Sequence, residues 1–248
     1  MNATRQFTLS FISFLREDWL LRNGVYLKSE DETLTYSKGV YRSQHRNWVY
    51  HVRSGIDNVD YPPIISDDNG VISAQHYQTN YIDGSVKFTD YTPVGSVKAT
   101  YTYLIHLITS SWEIISESEN VRTPYVVITN VDRSSRPLQL GGGVWAVLDV
   151  TLQIGEYDSG AYTAFARAEE LADIILSGVS KIPIVDYSGD KFPLTLGGYL
   201  KSTYDLESQI IGYYTLIDGS QMHYSLPMST KGYARRVVKF SVMVPDEG

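Results

Sequence analysis

The stretch VWAVLDVTLQI, residues 144–154, and the stretch GAYTAFARAEELADIILSGV, residues 160–179, lie almost back to back, yet their apolar residues repeat with different periods. In the first, Val144, Ala146, Leu148, Val150, Leu152 and Ile154 fall on a single face, which is the period of a β-strand with that face buried. In the second, Ala161, Phe165, Ala168, Ala172 and Ile175 recur every three to four positions, while Arg167, Glu170 and Asp173 lie off the stripe. The spacing predicts a helix opened by Ser159 and ended at Gly178, and a stripe of mostly small residues lets such a helix lie close against a sheet. A long strand feeding a helix over one shared core makes this half of the chain α+β.

The flanking segments extend the sheet. YVVITNV, residues 125–131, is a short, nearly continuous apolar strand behind Pro124, and DRSSRPLQLGGG, residues 132–143, is expected to be a flexible loop carrying Arg133 and Arg136. Further strands are expected at 181–187, 210–217 and 236–244, the last alternating through Arg236, Val238, Phe240, Val242 and Val244. Residues 108–120 are ambiguous and serve as a connector. At the other end, residues 1–21 predict an amphipathic helix capped by Thr4, burying Phe7, Phe11, Phe14 or Leu15, and Trp19, and stopped at Asn23-Gly24. Its apolar run is broken by Thr8, Ser10 and Ser13 and followed by Arg16-Glu17-Asp18, so neither a signal peptide nor a membrane span is expected there.

Between 22 and 107 helical periodicity is absent. The segment YIDGSVKFTDYTPVGSVKATYTY, residues 81–103, alternates Val86 and Phe88 with Lys87 and Thr89, then Val97, Ala99, Tyr101 and Tyr103 with Lys98, Thr100 and Thr102. With Asp83-Gly84 as two positive-φ turn positions and Pro93-Val94-Gly95 as a second reversal, it is expected to form a three-stranded meander starting near His76. GVYRSQHRNWVYHVRSGI is the expected first strand pair, and Asp67-Asp68-Asn69-Gly70 a turn. The chain is therefore expected to be α+β, a mixed or antiparallel β-sheet packed by two helices. Its expected parts are an N-terminal helix over 1–21, an inserted β-rich region over 22–107 and a core over 108–248.

Composition narrows function. Twenty tyrosines and no cysteine leave no disulfide framework, no thiolate nucleophile and no cysteine-bound zinc, and favour half-buried strands and protein interfaces. A net charge of −7 argues against nucleic acid as the main partner. The five histidines, His45, His51, His76, His106 and His223, form no H-E-x-x-H and no ligand-spaced set with carboxylates. Asp67-Asp68-Asn69-Gly70 lacks the ligand pattern of an EF-hand, Gly141-Gly142-Gly143 leads into a strand without a phosphate-binding Lys-Ser/Thr, and no serine sits in a G-x-S-x-G elbow. Glu30-Asp31-Glu32 and Glu169-Glu170 fit a solvated turn and a helix face. No catalytic residue, metal ligand or cofactor is expected, and the chain is not expected to be an enzyme.

Two sets of residues resemble a known family. The D-G-x-V-x-F, P, V-x-A-x-Y-x-Y pattern of residues 81–103 resembles a hairpin of virion proteins of tailed bacteriophages. The order of an N-terminal helix, TPYVVITNV, GGGVWAVLDVTLQI, AYTAFARAEELADIIL and a final RRVVKFSVMV resembles the tail terminator, or tail completion, proteins over about half of the residues. The resemblance implies a structural virion protein of the tail or neck, assembled in the host cytoplasm. It would act as a homo-oligomeric, hexameric ring that caps the tail tube and joins it to head–tail connector proteins, touching sheath proteins in a contractile tail. Neither a membrane nor a specific nucleic acid sequence is an expected partner. Arg133, Arg136, Lys87, Tyr101 and Tyr103 are the expected protein-interface residues. Another neck or baseplate protein is an alternative. So is a β-sandwich that binds carbohydrate through exposed Trp48, Trp112 and tyrosines.

Overall fold

The structure, a computed structural model, describes residues 3–110, 124–137, 144–157, 161–187, 193, 201, 204–226 and 233–246. It is α+β, with two main helices and several antiparallel or mixed sheets. Two compact units divide the chain. The β-rich unit comprises Arg16–Ile105 and Tyr187–Ser208, and the other comprises Met1–Leu15, His106–Asp186 and Gln209–Gly248. The division thus falls after Leu15, within the first helix, and residues 187–208 join the β-rich unit. Tyr204 shows why: its ring packs on the β-rich core and its hydroxyl is bonded there.

The first helix runs Ala3–Phe14, passes through a π-helical turn at Leu15–Trp19 and finishes as Leu20–Arg22. Thr4 lies inside it rather than capping it, and its carbonyl accepts a bond from the Thr8 hydroxyl at 2.9 Å. Phe7, Phe11, Phe14, Leu15 and Trp19 are all buried. The helix stops where expected: Gly24 adopts φ 71°, and the Val25 N–H returns to the Leu20 carbonyl at 2.9 Å.

In the β-rich unit, β1 (Leu27–Thr33) is followed by a hairpin of β2 (Thr35–Ser37) and β3 (Val40–Arg42), whose turn residues Lys38 and Gly39 both have positive φ. Of the stretch expected to form the first strand pair, only Val40–Arg42 is a strand, and its partners are β2 and the strand Ser85–Phe88 rather than the rest of that stretch. β4 (Ile64–Asp67) turns through Asp68-Asn69 into β5 (Gly70–Val71), as the sequence predicts. β6 (Tyr77–Asn80) and β7 (Ser85–Phe88) form the expected hairpin, but only Gly84 is left-handed in its turn. Asn80 Oδ1 shapes that turn by accepting the N–H groups of Ile82 and Asp83, each at 3.1 Å.

β8 (Lys98–Tyr103) does not continue the meander. It lies in a separate sheet ordered β1-β8-β4-β5, while β3 takes the free side of β7 in the sheet β2-β3-β7-β6. The connecting segment explains the change of sheet. The Tyr91 hydroxyl and the Val94 N–H both bind Asp67, and the Asp68 N–H binds the Val94 carbonyl, so the chain is drawn to the β4–β5 turn. Glu30-Asp31-Glu32 is likewise part of β1, at a bulge between Ser29 and Glu32, and not a free turn.

The other unit holds β9 (Leu107–Thr109), β10 (Tyr125–Pro137), β11 (Val144–Tyr157), β12 (Pro183–Val185), β13 (Ile210–Tyr213), β14 (Thr215–Leu216), β15 (Met222–Ser225) and β16 (Tyr233–Asp246). Its main sheet is ordered β14-β16-β11-β10-β9, with β15 also pairing β16, and β12 and β13 form a small separate sheet. In the register Leu152↔Val238, Val150↔Phe240 and Leu148↔Val242, one face of β11 and β16 is a continuous apolar surface. Phe7 and Phe11 lie against Phe240 there. The helix Ala161–Gly178 lies against the same two strands, burying Ala164, Ala168, Leu171, Ala172 and Ile175. Gly178 does not end the helical path, which tightens into a 3-10 turn at Val179–Lys181.

Candidate functional site

The segment expected to be a flexible loop is a paired strand as far as Pro137. Arg133 stands opposite Leu148 and Arg136 opposite Trp145 in the β10–β11 ladder, and residues 138–143 lie outside the described residues. The local sequence Asp132-Arg133-Ser134-Ser135-Arg136 has poor strand propensity. It is held extended by backbone pairing to a strongly alternating partner, a case of tertiary context overriding local preference. The two strands form a long ribbon. Its inner part, Tyr125–Ile128, is buried, and after a bulge between Ile128 and Asn130 every side chain from Asp132 to Arg136 is exposed.

On one face of the ribbon Asp132 stands across from Asp149, a like-charge pair that is unfavourable by itself. Each carboxylate has a donor of its own, Asn130 Nδ2 for Asp132 and the Ser241 hydroxyl for Asp149. Further along the same face come Arg136 and the half-buried Trp145. Arginine and tryptophan side by side on one sheet face, the arginine exposed and the tryptophan half-buried, are the residue types that anchor protein interfaces.

The remaining expected interface residues divide. Lys87 is exposed, but Tyr101 and Tyr103 are turned into the core of the β-rich unit. Tyr101 stacks on Trp48 with ring centroids 4.0 Å apart, and Tyr103 stacks on His45 at 4.2 Å. Trp48 is fully buried and offers no exposed platform for a sugar, and Trp112 lies outside the described residues. The Tyr101 hydroxyl donates to Glu32, which also accepts from the Ser29 hydroxyl and the Gln44 N–H. Burial raises the pKa of the Glu32 carboxyl, but these hydrogen bonds together outweigh it and hold the group below its ordinary value.

The π-helical turn builds a second buried polar cluster that nothing in the sequence announced, since Arg16-Glu17-Asp18 reads only as a charged break after an apolar run. Glu17 is buried and accepts from Tyr50 at 2.9 Å and from Tyr204 at 2.7 Å, with His51 Nδ1 at 3.2 Å. Arg16 lies over the Tyr50 ring, and Asp18 binds Arg53 at 2.8 Å as well as Arg22. Burial, and after it the Glu17 charge, pushes both the Tyr50 and Tyr204 hydroxyls well above the usual tyrosine range. A carboxylate so fully engaged by donors works as an internal anchor rather than as an acid or base for a substrate.

In space, histidines do meet carboxylates. His76 lies 3.0 Å from Asp90 and His223 3.2 Å from Asp173, and His106 is bonded to Glu156 in a buried pair. None of these pairs is encoded by close spacing, so a motif search passes over them. Among the described residues no group of three or more potential metal ligands comes together, and no helix is long and apolar enough to cross a membrane. In comparison with known proteins, the chain matches no family model and no curated sequence.

Proposed function

We propose that the protein is a structural component of a tailed-bacteriophage virion, a tail terminator that assembles as a ring, most simply of six copies, and joins the tail tube to the head connector. The observation that carries this reading is the order of elements in the α+β unit. A phenylalanine-bearing helix, a strand behind Pro124, the long partner β11, an alanine-rich helix and β16 follow one another along the chain in the order that the sequence resemblance implies for the terminator family, the three strands sharing one sheet and both helices packing against it. The outer half of β10, residues 132–136, is exposed and lies beyond the reach of β9 on its other side, which leaves a strand edge suited to a neighbouring subunit.

The test is assembly. Mass photometry over a wide concentration range, together with electron microscopy of the purified protein and of tails assembled with it, should reveal rings. A chain that stays monomeric alone and is also missing from assembled tails rules the proposal out.

A further inference from the structure

Strand β15 is attached to the α+β unit by its pairing to β16, by Lys239 over the Tyr224 ring, by the neighbouring Gln221 Nε2 donating to the Leu176 carbonyl at 2.9 Å, and by His223. Met222, Tyr224 and Ser225 are exposed, and only His223 turns inward. There it meets Arg236, whose side chain is almost fully buried with its guanidinium 4.8 Å from the centre of the Phe165 ring. Arg236 Nη1 donates to His223 Nδ1 at 2.7 Å, and Arg236 Nη2 lies 3.1 Å from Glu169 Oε1. On the other side of the ring, His223 Nε2 lies 3.2 Å from Asp173 Oδ1.

Guanidinium nitrogens only donate, so Nδ1 must offer its lone pair and the ring proton must sit on Nε2. This arrangement requires a neutral imidazole. A second proton would set donor against donor and cation against cation at contact distance. Attraction to Asp173 does not offset that, because the Asp173 side chain is 64% exposed and screened, whereas that of Arg236 is 7% exposed. Glu169 is engaged with the other arginine nitrogen. The remaining charges of these elements face elsewhere: Lys239 lies over Tyr224 and Arg235 over Tyr233 on the opposite face of the sheet, and Arg167 and Glu170 are on the exposed side of the helix.

We propose that His223 is a proton-operated latch. Neutral, it ties the edge strand β15 to the helix Ala161–Gly178 and to β16. Protonated, it leaves Arg236 and β15 loosens, opening the edge of β16 between Arg236 and Lys239. The device stands independently of the tail-terminator reading.

The test follows amide exchange of peptides covering 221–226 in the full chain, corrected for intrinsic rate, as the pH is lowered from neutral. Peptides from β10 and β11 serve as the internal reference. Protection of β15 should drop by roughly tenfold or more while the reference holds. His223→Gln, which can accept from Arg236 and donate to Asp173 without titrating, should remove the drop. Imidazole nitrogen NMR of the unmodified protein at neutral pH should find the proton on Nε2. The proposal is overturned by protection that ignores pH or falls only together with the reference peptides. A glutamine variant that behaves like the parent or is unprotected throughout overturns it too, as does a ring protonated on Nδ1 at neutral pH.

Discussion

The ring of Tyr125 lies flat over Gly155, its register partner across the β10–β11 ladder, so that a Cβ on residue 155 would come within 2.4 Å of the Tyr125 ring. The ring has nowhere to go. It is fully buried, and its hydroxyl is tied to Tyr233 and to Gln153 Nε2. Gly155→Ala should therefore cost about 1–3 kcal/mol, the range for overpacking a filled core. Gly212→Ala, where the added carbon meets only Ile184 Cδ1 at 3.6 Å, is the control and should stay within about 0.5 kcal/mol. Urea midpoints of the two variants check this.

Acid should weaken the β-rich unit through Glu32. Its folded carboxyl titrates below the unfolded value of about 4.3, so its contribution is fully present above that pH and disappears as pH falls through the lower folded value. Glu32→Gln should flatten this acid limb in unfolding curves recorded from neutral pH downward. Tyr101→Phe keeps the stack on Trp48 but removes one donor, so it should cost about 1 kcal/mol at neutral pH and shrink the limb. An unchanged limb in both variants would contradict the assignment.

Alkali should act through Tyr50 and Tyr204. Their folded pKa values are raised, so the stability they confer is complete below the unfolded value of about 10 and is lost as pH climbs beyond it. Phenolate absorbance from these two rings should appear only together with unfolding. Tyr204→Phe should reduce the fall of stability between about pH 9 and 11.

The hairpin of β6 and β7 separates packing from decoration. Val86 is buried in the aromatic core, and Phe88 only partly so, against Tyr41, Tyr77 and Tyr91. Val86→Ala should cost about 1–3 kcal/mol and Phe88→Ala somewhat less than the 3–5 kcal/mol of a fully buried ring. Lys87→Ala should stay within about 0.5 kcal/mol. Thermal melts of the three variants distinguish them.

The ribbon can be tested without disturbing the fold. Arg133→Ala combined with Arg136→Ala alters exposed strand positions and should shift stability by no more than about 1 kcal/mol. If the ribbon is an assembly surface, the same variant should weaken ring formation and tail joining. Normal joining would clear these arginines of that role.

Periodicity made the α+β class, the two principal helices and the strands at 125, 144 and 236 legible, because each carries a long apolar repeat that one buried face imposes. It failed where pairing was decided by distant partners. Asp132–Pro137 has no repeat of its own and is a strand only because β11 is. β8 alternates as expected, but nothing local reveals that its neighbours are β1 and β4. The abundance of tyrosine was visible, but its use was not: Tyr50 and Tyr101 are buried and Tyr204 partly so, with hydroxyls aimed at Glu17 and Glu32, acceptors up to 187 positions away. Composition can suggest an aromatic surface, yet only the fold reveals which carboxylate each hydroxyl meets.

The β11–β16 ladder also sets the order in which the molecule can form. β11 and β10 are close in sequence and can zip together as a hairpin, but every partner on the other side of β11 comes from β16, with the helix Ala161–Gly178 and, among the described residues, four shorter strands in between. Closing so large a loop costs entropy that the ladder and the helix packed on both strands must offset, so docking of β16 is expected in the later part of folding. Until then β11 presents one unpaired edge and the apolar surface of Leu148, Val150 and Leu152 to any other chain, which makes this the step at which crowding during synthesis would divert the protein into aggregates.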